Sequence, residues 1–220
     1  MKLKLKPHAY PGKLIVFEGT DGAGKTTMLE RTQAYLAGVV GEENVVVTKQ
    51  PTDRSRNTRL FQKMMYCKRH EDVDYRAVQL LTMSDRVQHA YEQIEPALRA
   101  GKYVVCDRYI YTSLVNMLAR GYTHEKWFFD AAQHLPAPDL AVLAYVPPEL
   151  AIARIRARPE EARRHLDEAQ LRKVADGFLR LHKQLGLRLT DTTQPADTAF
   201  VAVRAAVDAL LPACAEARVC

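Results

Sequence analysis

The chain has 220 residues, 47% apolar and 26% charged, the balance of an ordinary globular domain long enough to bury its own core. Its formal net charge of +6 favours anionic partners, but no aromatic-interleaved basic patch singles out nucleic acid, and no apolar run is long enough to span a membrane. The four cysteines, Cys67, Cys106, Cys214 and Cys220, form no C-x-x-C pair and no metal spacing, which reads as reduced thiols in a cytoplasmic protein.

Residues 1–7 alternate charge with leucine and lack an apolar signal core, and 1–12 read as a short arm ahead of one domain over 13–220. Residues 14–17 are apolar and partly β-branched, as a buried strand over 13–18 is, and a helix is predicted over about 26–38. A second strand is expected at 44–49, ended by Pro51 and followed by a polar loop with Arg54, Arg56 and Arg59. Helical pattern covers about 57–68 and, after an acidic break, 75–100, with Leu80 and Leu81 expected in the core. The third strand, 103–107, is apolar until Asp107. Helices at about 112–120 and 124–134 lead to a strand at 139–146, announced by Pro138, and to a helix starting near Pro148. Residues 157–166 are crowded with charge and have no apolar period; a helix over about 167–185, a strand at 187–190 and a helix over about 197–211 complete the chain. Strands alternating with helices, without repeats or linkers, predict an α/β fold: a parallel sheet of about five strands covered by helices on both faces.

Between the first strand and first helix stands Gly19-Thr-Asp-Gly-Ala-Gly24-Lys25-Thr26-Thr27, which matches the phosphate-binding pattern G-x-x-x-x-G-K-[ST] at every fixed position. Strand, glycine turn and helix N-terminus aim backbone N–H groups and a helix dipole at an anion. Glycine at positions 19, 22 and 24, with the small Ala23, lets that backbone come close to phosphate oxygens. Lys25 would reach the β- and γ-phosphates, and the Thr26 hydroxyl would hold Mg²⁺. The chain is therefore expected to have a P-loop NTPase-type fold and to bind a nucleoside triphosphate.

Other positions bear on the chemistry. Asp107 ends the third strand at the carboxyl edge, where open α/β sheets bind ligands, and suits Mg²⁺, although an Asp there also caps turns. Arg108 can grip a phosphate with its planar fork or form a surface salt bridge. Asp21, a carboxylate in a loop built for anions, needs a metal, an arginine or a substrate hydroxyl to compensate it. Asp85 and Arg86 point either to a cleft or to solvent. The arginines at 154, 156, 158, 163 and 164 form either a solvated face or a lid that closes over the triphosphate.

Taken together, Phe17-Glu-Gly-Thr-Asp-Gly-Ala-Gly-Lys-Thr-Thr27, Asp85-Arg86, Asp107-Arg108-Tyr109, Pro138-Asp-Leu, Val146-Pro-Pro-Glu149, the Arg-rich segment and Asp191-Thr-Thr-Gln-Pro195 resemble the thymidylate kinases over about residues 13–210. That resemblance implies an ATP-dependent kinase acting on dTMP. Gly22 to Thr27 would cradle ATP, with Mg²⁺ on Thr26 and close to Asp107. Asp21 and Arg108 would act on the acceptor and its phosphate, Arg86 on the thymine edge, the loop after Pro51 beside the acceptor phosphate, and Thr193 to Pro195 on adenine. Gly22 stands where some members carry a loop arginine, which implies a catalytic arginine in a lid at about 157–166 or just before it: Arg154, Arg158 or Arg163. A homodimer is implied as well.

Two positions depart from the family pattern. Thr82 replaces a ring that stacks on thymine, a contact worth roughly 1–3 kcal/mol. Asn116 replaces Tyr or Phe beside the sugar, where it and Ser113 can bond a base edge. The expected reaction is in-line transfer from MgATP to a nucleoside monophosphate, dTMP first, with positioning and charge neutralisation as the protein's work. Still open at this point are a kinase for another or modified pyrimidine nucleotide, a regulatory nucleotide-binding protein without transfer activity, and a nucleic-acid-dependent ATPase. Neither nucleic acid nor a membrane is an expected partner.

Overall fold

A computed structural model of the chain describes residues 2–67, 72–159 and 166–212. Five strands, β1 (Lys13–Glu18), β2 (Val45–Lys49), β3 (Tyr103–Asp107), β4 (Leu140–Tyr145) and β5 (Arg188–Asp191), form one sheet in the order β2-β3-β1-β4-β5, with every neighbouring pair parallel. Because successive strand residues face opposite ways, β1 feeds two cores. Leu14 and Val16 join Val104, Cys106, Leu114 and Phe178 on one face, and Ile15 and Phe17 join Met28, Leu36, Val142 and Val203 on the other. The second face belongs to α1 (Lys25–Val40) and α10 (Ala196–Asp208); the first is covered by α4 (Tyr75–His89), α5 (Glu95–Arg99), α6 (Ile110–Ala119), α7 (Lys126–Ala132) and α9 (Glu168–Leu181). The helices that follow the adjacent strands β1 and β3 thus lie on opposite faces. A crevice opens outside the carboxyl ends of such a pair.

The sequence expectations differ from the structure at several points. The loop after Pro51 winds into a short helix, α2 (Asp53–Arg56), ahead of the expected α3 (Arg59–Tyr66), the two capped by the Thr52 and Thr58 side chains. The helix predicted over 75–100 is interrupted by a π turn at Ala90–Ile94, in which the Glu95 N–H bonds Ala90 O. Pro96, which has no N–H for the regular ladder, accounts for that break. Leu80, expected in the core, is 55% exposed: α4 buries Val78, Gln79, Thr82, Met83 and Arg86, and position 80 lies off that stripe. Near the N-terminus, Lys6 forms a parallel bridge with Pro136, and Leu3 and Leu5 pack on the core.

Candidate active site

The phosphate loop owes its shape to glycines with no room for a side chain. Gly19, Gly22 and Gly24 have φ of 135°, 76° and 84°, values that side chains rarely adopt. A Cβ on Gly22 would lie 2.4 Å from Ala151 O in α8 (Pro148–Arg156), and one on Gly19 would lie 2.4 Å from Ala144 O in β4. The neighbouring helix therefore forbids an arginine at position 22. Gly24 opens α1, whose first turn holds no acidic residue to compete with an anion. Lys25 is buried and donates from Nζ to Thr20 O at 2.7 Å. Burial and the Arg108 charge push its pKa down to about 8. Thr26 and Thr27 stand exposed beside it.

Two side chains brace the loop from outside. The Thr192 hydroxyl lies 2.6 Å from Ala23 O, to which it donates, while Arg154 donates to Gly22 O at 3.3 Å and Thr192 O at 3.0 Å. Arg154 thus grips the back of the loop. Arg158 is exposed and lines the cavity in front of it. Arg163 lies outside the described residues, as does most of the expected lid. Thr193 and Pro195 are exposed, and Thr193 turns its hydroxyl to Asp191 Oδ1 at 2.7 Å.

The β1 and β3 ends are level, Phe17 being in register with Asp107, and the chain after β3 turns sharply. Arg108 takes a φ of 64°, strained for a residue with a side chain. Glu18 holds it there. The fully buried carboxylate accepts from the Tyr109 N–H at 2.9 Å, the Thr112 N–H at 3.2 Å and the Thr112 hydroxyl. Burial raises the Glu18 pKa, against these bonds and the Arg108 charge. So fixed, Arg108 donates to Gly19 O at 2.9 Å and Thr112 Oγ1 at 3.1 Å, and forms an ion pair with Asp21. An arginine is thus what compensates the carboxylate in the loop. Asp107 keeps Oδ1 buried with no hydrogen-bond partner, and the residue lines the same cavity as Thr26. An orphaned carboxylate oxygen near an exposed hydroxyl suits a hard cation. Among the described residues no cluster of three or more acidic, histidine or cysteine side chains forms a complete metal site, so phosphate oxygens would have to finish the shell.

The cavity, about 510 Å³, runs from the phosphate loop to the walls of α3, α4 and α6. On α4, Tyr75, Gln79, Thr82 and Arg86 share the lining stripe. Arg86 is fully buried; it donates to Thr82 O and Tyr109 O, each at 3.3 Å, and its Nε has no partner. Its neighbour Asp85 faces the other way, accepting from the Thr52 N–H at 2.6 Å and from Ser55 Oγ at 3.2 Å, and so anchors the loop that starts at Pro51. Pro51 lines the cavity, as do Ser113 and Asn116 on α6. Glu18, Arg56, Tyr75, Gln79 and Thr192 had no assigned role in the sequence reading. Arg56 lines the cavity, donates to Pro51 O at 2.7 Å and feels the Arg108, Asp107 and Asp21 charges. A glutamate ending an apolar strand was the one visible signal among them.

Comparison with known proteins follows the same lines. The thymidylate kinase family profile matches residues 17–201. A probable thymidylate kinase of Pyrococcus abyssi is 40% identical over 153 residues, 67% of this chain and 71% of its own. The thymidylate kinase of Limosilactobacillus reuteri is 30% identical over 204 residues, 89% of this chain and 95% of its own. The crystal structure of thymidylate kinase from Ehrlichia chaffeensis superposes with a TM-score of 0.66 at 21% identity, covering 90% of this chain and 98% of that one, which is a likeness of fold.

Proposed function

The chain belongs to the thymidylate kinase family, and on that premise we propose how its residues divide the work. The reaction is transfer of a phosphoryl group from ATP to dTMP, giving dTDP and ADP. The carrying observation is that one cavity joins Lys25 and the phosphate loop to Arg108, Arg86 and Asp107. Two anions need such an arrangement: N–H groups and cations at one end, and a second cationic clamp facing them.

On the donor side, the N–H groups of residues 22–27 and the Lys25 ammonium hold the β- and γ-phosphates. Thr26 and Asp107 would hold Mg²⁺, which when bound neutralises phosphate charge. Thr193 and Pro195 border adenine. On the acceptor side, Arg108 and Arg56 take the dTMP phosphate beside Pro51, with Asp21 holding Arg108 in place. Arg86, Thr82, Ser113 and Asn116 meet the base and sugar. Arg158 and Arg163 supply charge from the lid, while Arg154 positions the phosphate loop. No general base is needed, because the attacking oxygen belongs to an already ionised phosphate. The protein works in the cytoplasm as a homodimer, and the exposed Leu80 and Tyr91 on the outer side of the long helix support that pairing. No helix among the described residues is long and apolar enough to cross a membrane.

An ADP-release assay over a panel of nucleoside monophosphates tests the reading, and a clear optimum for dTMP is expected. Tight MgATP binding with no ADP from any acceptor would overturn it.

A further inference from the structure

A nucleobase is held by a flat surface against its ring, and this cavity offers one of an uncommon kind. Along the α4 stripe nothing planar and aromatic stands between Arg86 and Tyr75, where Val78, Gln79 and Thr82 line the cavity. The two rings that reach the cavity from α3 and α4 are both overlaid by arginines. Arg56 lies over Phe61 at 5.8 Å from the ring centre, and Arg120 lies over Tyr75 at 4.3 Å. Arg56 is committed to the phosphate end, as its bond to Pro51 O and its nearness to Arg108 indicate. Arg120 lines the cavity at the C-terminal end of α6, the opposite end of that helix from Arg108.

Its guanidinium is held in a set orientation. Nη1 donates to Asn116 Oδ1 at 2.8 Å and to Asn116 O at 3.4 Å, one turn back on α6. Asn116 is fixed in turn through Nδ2, which donates to Thr112 O at 2.9 Å. Thr112 is the residue that Glu18 and Arg108 also hold, so this chain of contacts begins at the catalytic turn. A ring on one face and an amide on one edge thus orient the guanidinium.

We propose that Arg120 is a specificity-determining residue: its guanidinium, backed by Tyr75, is the plate on which the pyrimidine base of the acceptor stacks. The proposal rests on the reading of this cavity as the acceptor site. Guanidinium planes stack on bases as aromatic rings do. Tyr75 stabilises the cation over its face and limits the freedom that would otherwise be lost on binding. Asn116, beside the sugar, is by this account also a positioning residue for Arg120.

The test compares wild type, Arg120→Ala and Arg120→Lys by steady-state kinetics, with dTMP binding measured separately by calorimetry. Arg120→Ala should raise the dTMP KM and Kd about ten- to a hundredfold, the range that loss of one base-stacking contact brings. The ATP KM and kcat should stay within about twofold. Arg120→Lys keeps the charge without the plane and should not restore affinity. Unchanged dTMP affinity in Arg120→Ala, full rescue by lysine, or a parallel loss of ATP affinity would each overturn the proposal. Should wild type bind dTMP and yet release no ADP, the reaction assignment fails, and the calorimetric comparison still decides the role of Arg120.

Discussion

The proposed donor and acceptor halves of the cavity are made of different material. The donor half is mostly backbone: three glycines at positive φ, a helix N-terminus and one lysine, all within residues 19–27. The acceptor half is side chain, assembled from Arg56, Tyr75, Gln79, Thr82, Arg86, Asn116 and Arg120 on helices well separated in the chain. A backbone cradle tolerates little variation, because a Cβ at position 22 meets a carbonyl at 2.4 Å. A side-chain pocket can exchange its walls one at a time, as Thr82 and Asn116 illustrate, while the transfer apparatus stays whole. On the proposed assignment, chemistry is held in the donor half and selectivity in the acceptor half.

Perturbations of decreasing size test that division. Lys25→Ala should lower turnover by ~10³-fold or more, since it removes the one side-chain cation inside the cradle; wild-type ADP release in that variant would break the donor assignment. Arg108→Ala should reduce kcat/KM for dTMP by roughly 10²-fold. Equilibrium binding of an ATP analogue should change far less, and an equal loss on both sides would mean that the halves are not separable. Gly22→Ala forces a side chain into a positive-φ position against Ala151 O. It should cost about 1–3 kcal/mol, seen as a lower Tm and a raised ATP KM with the dTMP KM unmoved.

The smallest effect is one of pH. Burial and Arg108 hold the free Lys25 pKa at about 8, and a bound triphosphate restores the charged form and raises it. Above pH 8 ATP binding must therefore take up a proton, and its affinity should fall as pH rises, by at most about tenfold per pH unit. Calorimetry in buffers of different ionisation enthalpy reads that proton directly; dTMP binding, if the halves are distinct, should show none from Lys25. The sign for stability is opposite. A folded-state pKa below the usual 10.5 means that the unfolded chain binds more protons, so the ligand-free fold gains stability from this group as pH rises from about 8 towards 10.5.

How much of this was legible in the sequence follows from the same contrast. The phosphate loop could be read because its residues are contiguous and its constraint is local. Asp107 could be read because an acid after four apolar residues marks a strand end. Asp21 was identified as needing a partner, but that the partner is Arg108, 87 positions away, appeared only in three dimensions. Arg154, placed among possible lid residues, was recognisable as a brace behind Gly22 only once Thr192 was brought beside it. Leu80 was misplaced because hydrophobicity says nothing about which side of a helix a residue occupies when the stripe around it contains Gln79, Thr82 and Arg86.

By itself, then, the sequence determined the alternation of strands and helices, the anion cradle and the acid at the β3 end. Each is dictated by backbone conformation or by periodicity among near neighbours. The tertiary structure decided which strand lies beside which, how Glu18 holds Arg108 in its strained turn, and which planes line the cavity. Those depend on contacts between segments far apart in the chain, and the energy of such a contact is set by distance and burial, which no local pattern encodes.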